Sequence, residues 1–240
     1  MALATVLVAL GSAHAATAAT TPLPPVTPRD AIRVSDEKQL TRWGYVAHVQ
    51  SVRARPSNRA HRVAKLHIYT EDDFPEIYVV LQRWTATDGT RWLHIRVPMR
   101  PNGRTGWVHE SALTDLVTVR TALRIDRRHQ RLTLFKNGRA IFRTRVGVGK
   151  PSTPTPHGHF YIREKFRVVG APLYGPFAMG TSAYAPHLTD WPGGGVVGLH
   201  GTDQPSLIPG RPSHGCIRLR NRAITKLYRL VPRGTPVDIV

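Results

Sequence analysis

A single cysteine, Cys216, stands among the 240 residues. It has no intramolecular disulfide partner, and no Cys-x-x-Cys or His-Glu-x-x-His string is present to frame a zinc site. Acidic residues are also scarce: 15 against 34 lysines and arginines, a formal net charge of +19. Such an imbalance speaks to partners rather than to fold, and favours nucleic acid, an anionic membrane or an anionic polymer. The arginines are scattered along the whole chain, with no zinc-finger spacing and no aromatic RNA-binding signature, so nucleic acid is not the expected partner. Past residue 20 no segment approaches the roughly 18 apolar residues of a membrane span.

What is present begins with "ALATVLVALGSAHAATAAT", an apolar run followed by small residues, in which Ala13-His14-Ala15 fits a cleavage site. Residues 1–20 are therefore expected to be a signal peptide or an N-terminal anchor, placing the protein outside the cytoplasm as a secreted, periplasmic or wall-associated chain. "TPLPPVTPRD" then reads as part of an extended Pro/Thr-rich linker over 21–40. In an oxidising compartment a lone thiol is a liability unless its chemistry is used. Cys216 is thus either a buried small hydrophobe, a metal ligand or a nucleophile.

With 41% apolar and 20% charged residues the rest can fold, and 240 residues leave room for two domains. Residues 41–116 read as short strands. "YVAHVQSVRARPS" alternates apolar and polar residues, while Asp88-Gly89 and Asn102-Gly103 supply turns between later runs. "VRARPS" and "GWVHESAL" resemble the bacterial SH3-like domain, which implies a small β-barrel or roll of the wall-binding or positioning kind. Trp84, Trp92 and Trp107 are expected in its core rather than on a carbohydrate platform. Residues 117–240 read as a second β-rich domain with about one helix. Three strands run through "ALRIDRRHQRLTLFKNGRAIFRTRVGVG", turned at Asn137-Gly138, and "GGGVVGLHG" is a buried strand. Val168 to Gly195 is expected to be a loop-rich excursion or lid. "NRAITKLYRLV" places Ala223, Ile224, Leu227, Leu230 and Val231 on one helical face, with Asn221 as N-cap and Gly234 closing the segment. The fold class is mainly β.

Cysteine attacks as the thiolate, and an ordinary pKa of about 8.5 leaves it mostly protonated at neutral pH. It therefore needs a base, usually histidine, and backbone amides to hold an oxyanion. Gly215 permits close approach of the backbone, so the amides of Gly215 and Cys216 are the expected donors. Both His214 and His200 are candidates for the base, and spacing alone does not choose between them. A three-ligand metal set of His200, His214 and Cys216, extended by His157 and His159, is the weaker reading without paired cysteines.

"HGT" at 200–202 followed by "SHGCIR" at 213–218, with Thr155, Pro156, Gly158 and Phe160 upstream, resembles the signature of L,D-transpeptidases with a YkuD-type catalytic domain. The resemblance runs from about Val117 to Val240. It implies Cys216 as nucleophile, His200 as base, the carbonyl of Gly201 as third member and His214 in support. It also implies Arg218 and Ser213 near the substrate, and Tyr184, in the lid, beside the oxyanion. No metal or organic cofactor is implied. The implied substrates are peptidoglycan stem peptides; separately, the net positive charge makes anionic wall polymers expected further partners, and a monomer is the expected assembly. The same site with water as acceptor would be an L,D-carboxypeptidase. A protein that only binds the wall is the rival of another class.

Overall fold

A computed structural model of the chain describes residues 27–188 and 192–240, which form two sheets and, among the described residues, one α-helix. The export segment expected over 1–20 lies outside the described residues, as does the first part of the linker. The first sheet holds β1 (Ile32–Arg33), β2 (Thr41–Tyr45), β3 (Ser51–Arg53), β4 (Arg62–Lys65), β5 (Ile77–Thr85), β6 (Arg91–Arg96), β7 (Thr105–His109) and β8 (Val117–Val119). Its strands lie antiparallel in the order β4-β3-β7-β6-β5-β2-β8, with β1 also on β5. The sheet is thus wider than the sequence indicates at both ends. Ile32 and Arg33, expected in the linker, pair with Arg83 and Gln82, and Val34 enters the core. The expected turns are present. Gly89 takes φ +83° and donates to the Ala86 carbonyl at 3.0 Å, and Gly103 takes φ +86°. Trp92 and Trp107 are buried, as expected, while Trp84 is half-exposed and donates to Asp30.

The second sheet is mixed. It contains β9 (Thr121–Asp126), β10 (Arg131–Lys136), β11 (Arg139–Arg145), β12 (Gly147–Gly149), β13 (Gly158–Arg167), β14 (Phe177–Tyr184), β15 (Val196–His200), β16 (Gly210–Ser213), β17 (Ile217–Arg218) and β18 (Pro236–Ile239). The order is β11-β10-β9-β18-β13-β14-β15-β17-β12-β16, with parallel contacts at β9/β18, β15/β17 and β12/β16. Asn137 and Gly138 both adopt positive φ, +50° and +74°, and close the β10–β11 hairpin. The excursion expected over 168–195 contains a strand: β14 crosses the middle of the sheet. Its string FAMGTSAY has seven of its eight residues buried, so no apolar–polar alternation marks it.

The helix α1 (Asn221–Leu230) buries Ile224 and Leu227 in the core of this sheet, and Val231 follows them. Each such side chain contributes about 1.5–3 kcal/mol of burial. Two details differ from the sequence reading. Leu230 stays 39% exposed, and Arg220 occupies the N-cap position without a side-chain cap. Asn221 is inside the first turn because its carboxamide is engaged elsewhere, at the Thr202 N–H.

The sheets meet through an apolar cluster of Trp43, Ile77, Val79, Val119 and Tyr161, and the Tyr161 hydroxyl donates to the Ile77 carbonyl at 2.8 Å. Gly234, expected to end the helical segment, instead lies against the Trp43 indole at φ +77°, where an added Cβ would collide with the ring. Beside this cluster the buried Arg163 guanidinium is held by Glu76 and, at 3.0 Å, by Glu71.

Candidate active site

Strand pairing brings the two chemistry-bearing side chains together. β15 and β17 run parallel with Leu199 opposite Ile217 and His200 opposite Arg218. Continuing that register backwards sets Gly198 opposite Cys216, and the Gly198 N–H donates to the Cys216 sulfur at 3.4 Å. Residues two apart share a face of a strand. Val197 and Leu199 point into the core, so His200, Cys216 and Arg218 lie together on the other face.

The loop carrying the thiol is tied down by hydroxyls. Ser213 Oγ donates to the Cys216 carbonyl at 2.6 Å and accepts from the Gly215 N–H at 3.2 Å. Thr155 Oγ1 donates to the Gly215 carbonyl at 2.8 Å while accepting from the Gly149 N–H at 2.9 Å. Gly215 sits at φ +130°, a conformation L side chains rarely adopt, so glycine is required there for backbone geometry.

His200 is buried, and its Nδ1 lies 2.6 Å from the Gly201 carbonyl. A carbonyl only accepts, so Nδ1 carries the proton and Nε2 keeps its lone pair. Burial pushes the imidazole pKa down to about 4; the Gly201 carbonyl opposes the shift and the Arg218 charge adds to it. Burial pushes the Cys216 thiol up, against smaller downward pulls from the Gly198 N–H and Arg218. At neutral pH the resting pair is therefore thiol and neutral imidazole rather than thiolate and imidazolium. Both side chains line a pocket of about 130 Å³ whose walls include Tyr174, Ala185, Leu188 and Gly195. The Tyr174 ring packs 4.8 Å from the His200 ring, tilted by 56°.

Residues 120–239, half of the chain, match the L,D-transpeptidase catalytic domain YkuD. The chain belongs to this family. It is 36% identical over 108 residues to the YkuD protein of Bacillus subtilis and 33% identical over 125 residues to that of Bacillus licheniformis. These alignments take in 45% and 52% of this chain, and 58% and 67% of those relatives. Among solved structures, the catalytic domain from an E. faecium L,D-transpeptidase is 28% identical, over 50% of this chain and 96% of that one, with a TM-score of 0.40.

Of the residues expected from the L,D-transpeptidase resemblance, Cys216, His200, Ser213, His214 and Arg218 all line the pocket. Gly201 meets His200 through its carbonyl and Gly215 forms the thiol loop. The structure does not bring Tyr184 to them. Its hydroxyl is drawn to Glu71 and accepts from Arg163 at 3.3 Å, on the side of β14 that faces the first sheet. The tyrosine at the pocket is Tyr174, in the 3-10 turn Pro172–Tyr174. His159, weighed as a metal ligand, lies 3.2 Å from Asp238 at the surface.

Sequence reasoning missed two positioning residues. Thr155 was visible as part of the upstream motif but not as the anchor of the thiol loop. Asn221 read as a cap, yet its carboxamide accepts from the Thr202 N–H at 2.9 Å and so holds the chain just past His200. That contact is tight: a Cβ on Gly201 would strike the Asn221 oxygen and come within 2.9 Å of the Gly175 Cα. The adjacency of the two glycines with Asn221 is visible only in three dimensions.

Proposed function

We propose that the protein is an exported peptidoglycan L,D-transpeptidase that uses Cys216 as nucleophile on tetrapeptide stems. The observation that carries the reading is the commitment of His200 Nδ1–H to the Gly201 carbonyl, which leaves Nε2 as a base on the face shared with the thiol. Nε2 takes the Sγ proton as Sγ attacks the carbonyl of the third stem residue, because a neutral pair gives no standing thiolate. The C–N bond to the terminal D-alanine then breaks, and the imidazolium returns its proton to the leaving amine. The resulting thioester is attacked by the side-chain amine of a neighbouring stem. His200 accepts the amine proton and delivers it to the departing sulfur, and a 3→3 cross-link forms.

The amides of Gly215 and Cys216 are the proposed oxyanion donors. At rest the Gly215 N–H points to Ser213 Oγ, so it exchanges that partner for the oxyanion. Arg218 is assigned to a substrate carboxylate: its Nε is buried without a hydrogen-bond partner among the described residues, on the pocket face.

Product analysis with a tetrapeptide donor, with and without an amine acceptor, tests the assignment. Cross-linked product that depends on the acceptor is expected. Tripeptide formed at the same rate in both cases would make the enzyme an L,D-carboxypeptidase. No turnover together with no carbapenem adduct by intact mass would leave a wall-binding protein.

The first sheet is proposed to be the SH3-like module, and an open groove on it is proposed to meet anionic wall polymers. Arg42, Arg83 and Arg91 border that groove of about 780 Å³, with Glu110 pairing two of the three. Elution from isolated walls at moderate salt is expected, since exposed charge pairs are screened with a Debye length of about 8–10 Å. Salt-insensitive retention would count against it.

A further inference from the structure

The pocket has a wall that the catalytic half of the chain does not hold by itself. Beyond Thr181, β14 leaves the pairing with β13, and after Tyr184 the chain brings Ala185 and Leu188 to the pocket. Asn102, in the turn between β6 and β7 of the first sheet, meets this segment as a second strand would. Its Nδ2 donates to the Tyr184 carbonyl at 2.8 Å and its Oδ1 accepts from the Tyr184 N–H at 2.9 Å. Arg100, two residues earlier, sends one Nη2 to the carbonyls of Ala185 and Leu188, at 3.3 and 2.9 Å. The same guanidinium lies over the Tyr184 ring, 4.7 Å from its centroid. Across the pocket mouth the Ala185 N–H donates to the Gly195 carbonyl at 2.8 Å. Gly195 takes φ +75°, and an added Cβ would strike the Leu188 carbonyl and come within 2.7 Å of Arg100 Nη2. Ala185, Leu188 and Gly195 all line the pocket, so one arginine of the first sheet meets three pocket residues.

We infer that Arg100 and Asn102 are positioning residues for the acyl donor: the first sheet completes the donor wall of the thiol pocket. The inference rests on the transpeptidase reading for what occupies the pocket. Its geometry requires only that the two side chains fix residues 184–188. Neither side chain is among the residues lining the pocket, so they act through Ala185 and Leu188 rather than on the reacting atoms. The arginine is a charge-assisted donor and the asparagine a two-point backbone mimic, which makes both contacts directional. A loosened wall weakens the bound state of the donor but leaves the His200–Cys216 chemistry in place.

The test uses the full chain, with Arg100→Ala, Asn102→Ala and the conservative Arg100→Lys. Three quantities are measured: KM and kcat for a tetrapeptide donor, the rate of Cys216 alkylation by iodoacetamide across pH, and amide hydrogen exchange over 184–188. Each alanine variant is expected to raise KM by about ten-fold, the equivalent of one lost hydrogen bond. The expected kcat stays within about two-fold, the alkylation profile is unchanged and exchange over 184–188 is faster, with Arg100→Lys recovering part of the KM. An unchanged KM with a lowered melting temperature would reduce the contact to inter-sheet adhesion and overturn the inference. If the wild type turns over no tetrapeptide while its thiol alkylates normally, the transpeptidase reading fails. Exchange over 184–188 then decides the clamp alone: faster exchange in the variants supports it and unchanged exchange overturns it.

Discussion

Each sheet buries one histidine, and the two have nearly the same titration behaviour. His94 in the first sheet and His200 in the second are both driven down to about pKa 4 by burial, with a nearby arginine adding to the shift. Both Nδ1 atoms are matched to a nearby oxygen, Gln82 Oε1 at 3.0 Å for His94 and the Gly201 carbonyl for His200. Their surroundings separate them. His94 stacks flat on the Trp107 indole, 4.7 Å away and tilted by only 9°, in a packed aromatic layer. His200 faces a pocket shared with a thiol. A depressed pKa on a buried histidine is therefore a statement about solvent, and becomes a statement about catalysis only where a proton donor and room for a substrate face the free nitrogen.

The sharpest way to break the comparison is to remove each ring. His200→Ala is expected to slow acyl-enzyme formation on a carbapenem by about 10²–10⁴-fold, the usual contribution of a positioned base. His94→Ala is expected to leave it within about two-fold, and equal losses would erase the distinction between the two rings. Intact-protein mass against time reads both.

A smaller effect concerns how the halves hold together. Gly234→Ala forces a Cβ into the Trp43 indole at positive φ, and is expected to cost about 2–4 kcal/mol in urea unfolding. Gly103→Ala, also at positive φ but with open space around it, should cost only about 1 kcal/mol. Similar losses at the two sites would mean that the Trp43 contact adds nothing.

The last prediction treats the two histidines alike. In each, the folded state holds fewer protons than the unfolded state between pH 6.5 and about 4. Stability contributed by the neutral ring is full above pH 6.5 and is lost as pH falls towards 4. By pH 5 each ring is expected to have lost about 2 kcal/mol, so His94→Gln and His200→Gln should each flatten the acid limb of a stability–pH curve by a similar amount. A flattening seen for only one would show that the other ring is better solvated than its surroundings indicate.

What was legible in the sequence was chemistry at short range. The spacing of His200, Ser213, His214, Gly215 and Cys216 marked the pocket because those residues occupy the ends of β15 and β16 and the short loop that leads from β16 into β17. Turns were legible for the same reason, since Asn137-Gly138 and Asp88-Gly89 are local backbone preferences. β14 was not, because a strand buried on both faces and rich in Ala, Gly, Ser and Thr carries no apolar–polar alternation. Tyr184 was misplaced for a related reason: the register of β14 sets which way its hydroxyl points, and the acidic partner that draws it, Glu71, lies 113 positions away in the chain. Thr155 and Asn221 escaped because a hydroxyl or a carboxamide that bridges distant backbone looks, in one dimension, like any turn residue or cap.

The acceptor that orients His200 belongs to the main chain. Every amino acid at position 201 would carry the same carbonyl, so no codon change can delete it. A saturation scan would still register losses there, but from side chains colliding with Asn221 and Gly175. The proposed triad is thus only two-thirds visible to genetics. Its remaining third answers to synthetic chemistry, such as a thioamide at Gly201 installed by ligation, which weakens the acceptor without adding a Cβ.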